Sequence, residues 1–349
     1  ELLKTGDVYS SDIPNSTAPL VADGVRVLKG DLQPKEIEEV APPHIAEMLA
    51  SPGEFIERSE QELSSEEPLI EPYWDPLLDP NVPANRSRLL VFLRQLVAAG
   101  LVTGVRRKKA RIGLFFVPKK TPGSLRLIVD ARQPNQLHRL PPSTTLASVE
   151  KLLGVSVDPS VVFAELDSDE RPAEPETVLG GSVDLQDGFY QFRNSRMCGW
   201  FTIDLKVQAS ELGLTQIWCD EAQQYLPVSP DTWVWPAFSG MAMGWSWGMH
   251  VCHEILTSVL ERTATSQDSL LLDKVAAPIL RTGDTASGPY VDNANVMGIG
   301  AGSVSRRLKA VTDELDRLGL KWHEFTDEAV VFEMLGVIID GRSHRVYHK

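Results

Sequence analysis

Two aspartates, about a hundred residues apart, carry the chemistry this chain can do. Asp292 lies in Gly288-Pro289-Tyr290-Val291-Asp292-Asn293-Ala294-Asn295-Val296-Met297-Gly298, between two apolar runs of strand character. A tight turn there would raise it on a hairpin tip. Asp184 lies in Ser182-Val183-Asp184-Leu185-Gln186-Asp187-Gly188-Phe189-Tyr190, also on a buried-type strand. Carboxylates on adjacent strands are the hard oxygen donors that a divalent cation needs for phosphoryl transfer. The residue after Asp292 is Asn293, which offers an oxygen without a charge.

The elements that must position these groups read as α+β with a largely antiparallel sheet. Leu89, Leu93, Leu96 and Val97 recur at helical spacing, and Gly100 is expected just past the helix end. The run Ile112–Val117 predicts a strand, Pro118–Ser124 a hairpin turn and Leu125–Asp130 the returning strand. Lys119, Lys120 and Arg126 then gather at one end of a β-ribbon, where they could grip phosphate. Asp130 and Arg132 read as a structural ion pair. Further strands are expected at Phe201–Leu205 and Thr232–Phe238, and an amphipathic helix after Gly248 with Val251, Ile255, Val259 and Leu260 on one face. A last helix is expected from Val304 to Leu318, followed by two strands that turn near Gly336. His250, Cys252 and His253 are metal-ligand types, but their helical spacing lacks a partner pair, and they are read as core-facing. Residues 1–71 read as an acidic, partly disordered extension, 72–180 as a region holding the basic ribbon with an acidic insertion at about 154–178, and 181–349 as the catalytic region.

Charge is unevenly spread. The chain of 349 residues carries a formal charge of −14, yet residues 81–140 hold 13 bases and the single acid Asp130. The basic run Arg106, Arg107, Lys108, Lys109 and Arg111 is its densest part, and acidic blocks flank it on both sides, a distribution that fits a nucleic-acid surface. No apolar run reaches the ~20 residues that cross a bilayer, so no membrane partner is expected. Three scattered cysteines suggest a reducing, intracellular setting, cytoplasm or nucleus. Neither GxxxxGK[ST] nor a GxGxxG after a strand is present, which removes P-loop and dinucleotide-binding classes.

Taken together and in order, these segments resemble the reverse transcriptases of retroviruses and retrotransposons. Phe116–Lys120 with Gly123–Arg132 and Asn135 is similar to that family's fingers ribbon. Ser182–Phe192 resembles its first catalytic palm motif, Phe238–Glu254 the motif around template and incoming base, and Tyr290-Val291-Asp292-Asn293 its Tyr-X-Asp-Asp. Leu318–Trp322 and Phe332–Gly336 resemble the last two palm motifs, so the likeness runs from about 72 to 340.

The resemblance implies a right-hand polymerase with fingers and palm, the palm sheet antiparallel and packed on helices. It also implies RNA-directed DNA polymerase activity, a nucleotidyl transfer with two Mg²⁺ or Mn²⁺ ions. Asp184, Asp292 and the Leu185 carbonyl would be metal ligands, with Asn293 completing the catalytic group. Lys119, Arg126, Asp187, Gly188, Phe189 and Met243 would surround the deoxynucleoside triphosphate, Phe189 excluding a 2′-hydroxyl. Arg106, Arg107, Lys108, Lys109, Arg111, Gly244, Trp245 and Gly336 would meet the primer–template. Thumb and RNase H functions would come from another chain or from further retroelement domains on a longer precursor.

Three residues depart from the family pattern. Asn293 replaces its second tip aspartate, Met243 an expected glutamine, and Met249 an expected proline. At an effective dielectric of ~20 and a separation of ~4 Å, one lost charge pair is worth about 4 kcal/mol, or roughly two to three orders of magnitude in rate. The alternative reading is therefore a catalytically impaired protein of the same fold, retained for nucleic-acid binding or as a retroelement remnant. A third is an interaction protein that binds through its acidic N-terminal arm.

Overall fold

A computed structural model describes residues 33–65, 86–118, 125–158 and 177–348. The protein is α+β. It divides into two compact units, and each is discontinuous in sequence. The first takes the described residues up to Pro141 and Phe189–Met249; the second takes Pro142–Gly188 and His250 onward.

The first unit is built on an eight-stranded mixed sheet. Its order is Gln224–Pro227, Gln216–Cys219, Val102–Val105, Trp233–Phe238, Thr202–Ile203, Arg111–Pro118 and Leu125–Asp130, with Val207–Gln208 joined to Trp233–Phe238. The ribbon Arg111–Pro118 and Leu125–Asp130 is antiparallel, as its alternation predicts. Two pairings in the sheet are parallel, Gln216–Cys219 with Val102–Val105 and Arg111–Pro118 with Thr202–Ile203. Helix Arg86–Ala98 buries Leu89, Leu90, Phe92, Leu93 and Leu96, with Phe92 meeting Phe116 edge-on at 5.3 Å. Gly100 adopts φ +72° just past that helix, the left-handed geometry a glycine supplies without strain. Asp130 and Arg132 form a two-pronged ion pair at 2.9 Å.

Residues 33–65 form short helices that bury Ile37, Val40, Ile45, Leu49 and Ile56. Apolar side chains spaced three and four apart provide that face. Lys35–Glu36 pairs in parallel with Phe192–Arg193, and Glu36 accepts from Arg193 Nε at 2.7 Å. Two helices of this stretch, Pro52–Phe55 and Glu60–Ser65, have no buried residue.

The second unit holds a five-stranded sheet ordered Asp268–Leu270, Thr285–Tyr290, Asn293–Ile299, Val178–Leu185 and Trp322–Ala329. Every pairing is antiparallel except that of the short edge strand Asp268–Leu270. Helix Ser303–Arg317 buries Val304, Leu308, Val311 and Leu315, a stripe that faces the sheet. Gly180 allows close packing: a Cβ there would stand 2.1 Å from the Phe332 ring. Phe332 belongs to a three-stranded meander, Val331–Met334, Val337–Asp340 and Arg345–His348. Its first turn, Leu335-Gly336, has positive φ at both positions, the two-residue geometry that suits a hairpin. Most of the acidic insertion expected at 154–178 lies outside the described residues.

Candidate active site at the tip of the five-stranded sheet

Strand register brings the candidate residues into one row. Asn293 is directly opposite Asp184 on one side, and His323 is opposite Asp184 on the other. Tyr290 lies opposite Asn293 and extends the row. Cross-strand partners point to the same face of a sheet, so these side chains form a polar line across four strands. Asn293 Nδ2 donates to Asp184 Oδ2 at 3.4 Å, and His323 Nε2 lies 2.9 Å from Asp184 Oδ1. Both oxygens of Asp184 therefore have donors.

The electrostatics of Asp184 are set mainly by its half-buried position. Burial pushes its carboxyl above the usual range, while His323 and Asn293 pull it back and Glu324 adds a little repulsion. Burial also drives the Cys252 thiol well up, helped by the negative charges of Asp292 and Asp184, so that cysteine is no nucleophile. The side-chain oxygen of Asn293 is buried with no hydrogen-bond partner. A buried acceptor without a donor beside a carboxylate is where a cation would be welcome.

Asp292 occupies the turn itself. Its carbonyl accepts from the Leu185 N–H at 2.9 Å, and Leu185 is buried. The Asp292 side chain lies against Gly188, where an added Cβ would be 3.0 Å from Asp292 Cβ and 3.4 Å from Oδ2. Gly188 is thus a cradle for that carboxylate. Val291, first of the two loop residues, has φ +58°. This is glycine territory, and a β-branched side chain there costs of order 1–3 kcal/mol. Asp187 also has a positive φ, +48°, in the turn after Leu185.

Beside this row opens a cleft of about 820 Å³, lined in part by Tyr290, Asn293, Ser182, Asn295, Phe332 and Gly336. Ser182, Asn295 and Gly336 thus share a cavity with the tip. The pairs His250–Thr144 and His253–Thr145, at 3.0 and 3.1 Å, hold the buried histidines in the core, as their helical spacing predicts.

The remaining candidates belong to the first unit. Lys119 and Lys120 lie outside the described residues. Arg126 is exposed on its strand. Phe189 begins within a short 3₁₀ turn, its ring close to Gly248, where an added Cβ would be 3.3 Å away. The Met243 carbonyl accepts from Val129 N–H at 3.1 Å. Gly244, at φ +130°, is required by contact, since a Cβ would meet the Val129 oxygen at 2.2 Å. Trp245 is a core residue, 3% exposed, whose indole N–H donates to His138 Nδ1 at 3.0 Å.

The basic run is largely matched by local acids. Lys108 and Arg111 both reach Asp204, at 2.6 and 3.3 Å, Lys109 reaches Glu57 at 3.3 Å and Arg107 is 3.8 Å from Glu221. Lys108 also stands 4.2 Å over the Trp235 ring. Exposed pairs of this kind are worth under about 1 kcal/mol and exchange readily.

His323 is the site residue that sequence reasoning misses. Period-two alternation from Trp322 would have placed it on a face, but two bulges blur that strand and its partner is 139 residues away. Among the described residues, no group of three or more His, Cys, Asp or Glu side chains is arranged to hold a metal ion. No described helix is long and apolar enough to cross a membrane. No protein-family model matches the chain, and a comparison with characterised proteins finds no match. Fold and site together define an α+β protein with a carboxylate-bearing sheet tip.

Proposed function

We infer that the chain is the fingers and palm of a reverse-transcriptase-like, template-directed DNA polymerase. The observation that carries the reading is the cross-strand pairing of Asp184 with Asn293, beside Asp292 in the turn. Asp184 and Asn293, 109 positions apart in sequence, come within 3.4 Å of each other, and the resemblance implies a metal site at these positions. The Gly188 cradle and the partnerless Asn293 oxygen support a cation at this place. Asp184 and Asp292 would hold Mg²⁺ or Mn²⁺, with Asn293 as a neutral oxygen donor. Bound there, such ions supply Lewis-acid stabilisation of the attacking and leaving oxygens.

The chain's own residues do the rest by position and charge. Asp184 would have to release its two donors, and burial already weakens its hold on negative charge. Phe189 would restrict the sugar and favour deoxynucleotides, and Arg126 would meet phosphate. The exchangeable ion pairs of Lys108, Lys109 and Arg111 would open to a nucleic-acid backbone, and binding would weaken as salt rises. The partners would be a primer–template and deoxynucleoside triphosphates.

A second reading rests on the engagement of both Asp184 oxygens by Asn293 and His323. It makes the tip self-satisfied and the protein catalytically impaired, with the fold kept for nucleic-acid binding. Primer extension on an RNA template with Mg²⁺ or Mn²⁺ separates the two. Under the first reading the wild type extends the primer, Asp184→Ala abolishes extension, and Asn293→Asp raises it about a hundredfold. No extension by either wild type or Asn293→Asp would leave only the second.

A further inference from the structure

The turn that presents Asp292 has a conformation its own sequence does not favour. Val291 is β-branched and stands at φ +58°, in the first of two loop positions between Tyr290 and Asn293. Glycine is the usual residue there. Something outside the hairpin must hold it.

His253 is placed to do so. It lies on helix Ser246–Arg262, is 1% exposed, and touches the loop and the core at once. Its Nε2 is 3.1 Å from the Thr145 carbonyl oxygen, an atom that can only accept. The proton is therefore on Nε2, and Nδ1 is a bare acceptor. Toward that Nδ1 the Val291 N–H points at 3.4 Å, a long hydrogen bond. The Thr257 hydroxyl, 3.4 Å from Nε2, packs the ring from one helical turn on. Burial favours the neutral ring, the only form that can donate on one side and accept on the other.

We propose that His253 is a positioning residue for the catalytic tip: its neutral ring ties the backbone at Thr145 to the Val291 amide and fixes the turn that carries Asp292. The role in catalysis rests on the polymerase reading; the clamp itself does not. Removing the acceptor releases Val291 toward ordinary φ values and lets Asp292 leave the Gly188 cradle. A glycine at 291 needs no clamp, so it should compensate for loss of the histidine. A ring that merely filled space would show no such compensation.

The test combines variants with a direct view of the ring. Nitrogen NMR of the wild type should show Nε2 protonated and Nδ1 bare; the opposite tautomer overturns the proposal. Single-nucleotide incorporation is measured with Mn²⁺, dTTP and oligo(dT) on poly(rA). His253→Leu should lower kcat about tenfold with little change in KM. His253→Asn, whose Oδ1 takes the place of Nδ1, should recover most of that loss, and so should Val291→Gly in the His253→Leu background. Failure of both to recover activity, in proteins that melt like the wild type, overturns the clamp. If His253→Leu does not fold, His253→Asn and the ring signals decide. If the wild type incorporates nothing, the polymerase reading fails and amide exchange at Val291 decides instead. Exchange that is slow in the wild type and fast in His253→Leu supports the clamp, and equal exchange overturns it.

Discussion

The two ends of the strand pair Thr285–Tyr290 and Asn293–Ile299 treat buried charge in opposite ways. Away from the tip, Arg306 reaches both oxygens of Asp268, at 2.9 and 3.2 Å, and Thr265 and Thr285 add hydroxyls at 2.6 and 2.7 Å. Burial works against that carboxylate, yet these bonds hold it well below its usual range. Beside it, the fully buried Arg307 donates to Ser287, Thr263 and the Leu260 carbonyl at 3.0, 2.9 and 2.7 Å. At the tip, burial prevails over hydrogen bonding at Asp184, the Asn293 oxygen has no donor, and Val291 is strained. One end is saturated and the other is under-matched. Buried polar groups left unmatched cost stability, and proteins keep them where a ligand completes them.

The largest effect expected from that contrast is at the saturated end. Arg307→Met leaves Ser287, Thr263 and the Leu260 carbonyl without their donor and removes a cation from beside Asp268. Breaking a buried charge network on one side costs roughly 3–5 kcal/mol, which urea unfolding of the variant would register. A loss below about 1 kcal/mol would mean that the network is no better than a surface pair, and the contrast would collapse.

The first unit offers an independent instance of an under-matched group. His138 is buried among Trp200, Phe201 and Trp245, and accepts from Trp245 on Nδ1. Its Nε2 then carries the proton and has no partner. Burial, with repulsion from Lys109, lowers its pKa to about 3. Between that value and the 6.5 of a free imidazole, the unfolded chain binds the proton and the folded chain does not. Stability must therefore fall as pH drops below 6.5, by at most about 1.4 kcal/mol per pH unit from this one group. Thermal melting from pH 7 to 4, wild type against His138→Gln, isolates the slope, since glutamine can still accept from Trp245 without charging. Parallel pH profiles would show that His138 is matched after all.

These features differ in how far they are legible in the sequence. The hairpin around Asp292, the strand bearing Asp184 and the Leu335-Gly336 turn follow from local alternation and turn chemistry, which adjacent residues decide. The helix stripe Leu89, Leu93 and Leu96 follows from spacing alone. What the sequence hides is pairing at a distance. Nothing near Lys108 or Arg111 announces Asp204, and nothing near His323 announces Asp184. The glycines Gly180 and Gly181 give no sign of being strand residues, because what requires the first is the Phe332 ring, which arrives from another strand. Positive φ at Val291 is equally silent, since valine is the last residue that local preference would put there.

The smallest predicted effect tests the tip most directly. In Asp184→Asn the new amide can give an N–H to the oxygen of Asn293 once the Asn293 amide, whose Nδ2 faces Asp184 Oδ2, turns over, and its own oxygen can still accept from His323. The variant also removes an ionised group that burial penalises. Relief of one buried unmatched acceptor is worth about 1 kcal/mol, a rise of roughly 2–3 °C in melting temperature for a chain of this size. The sign with pH is fixed: the folded carboxyl ionises later than the unfolded one. The ionisation cost is absent in acid and grows as pH rises through and above the ordinary carboxylate range. The gain from the neutral amide should therefore be largest at pH 7 and shrink toward pH 4. Loss of any primer extension in the same variant would show a residue that opposes stability while serving the site. A destabilised Asp184→Asn at pH 7 would instead place Asp184 with Asp268, as a charge the fold itself requires.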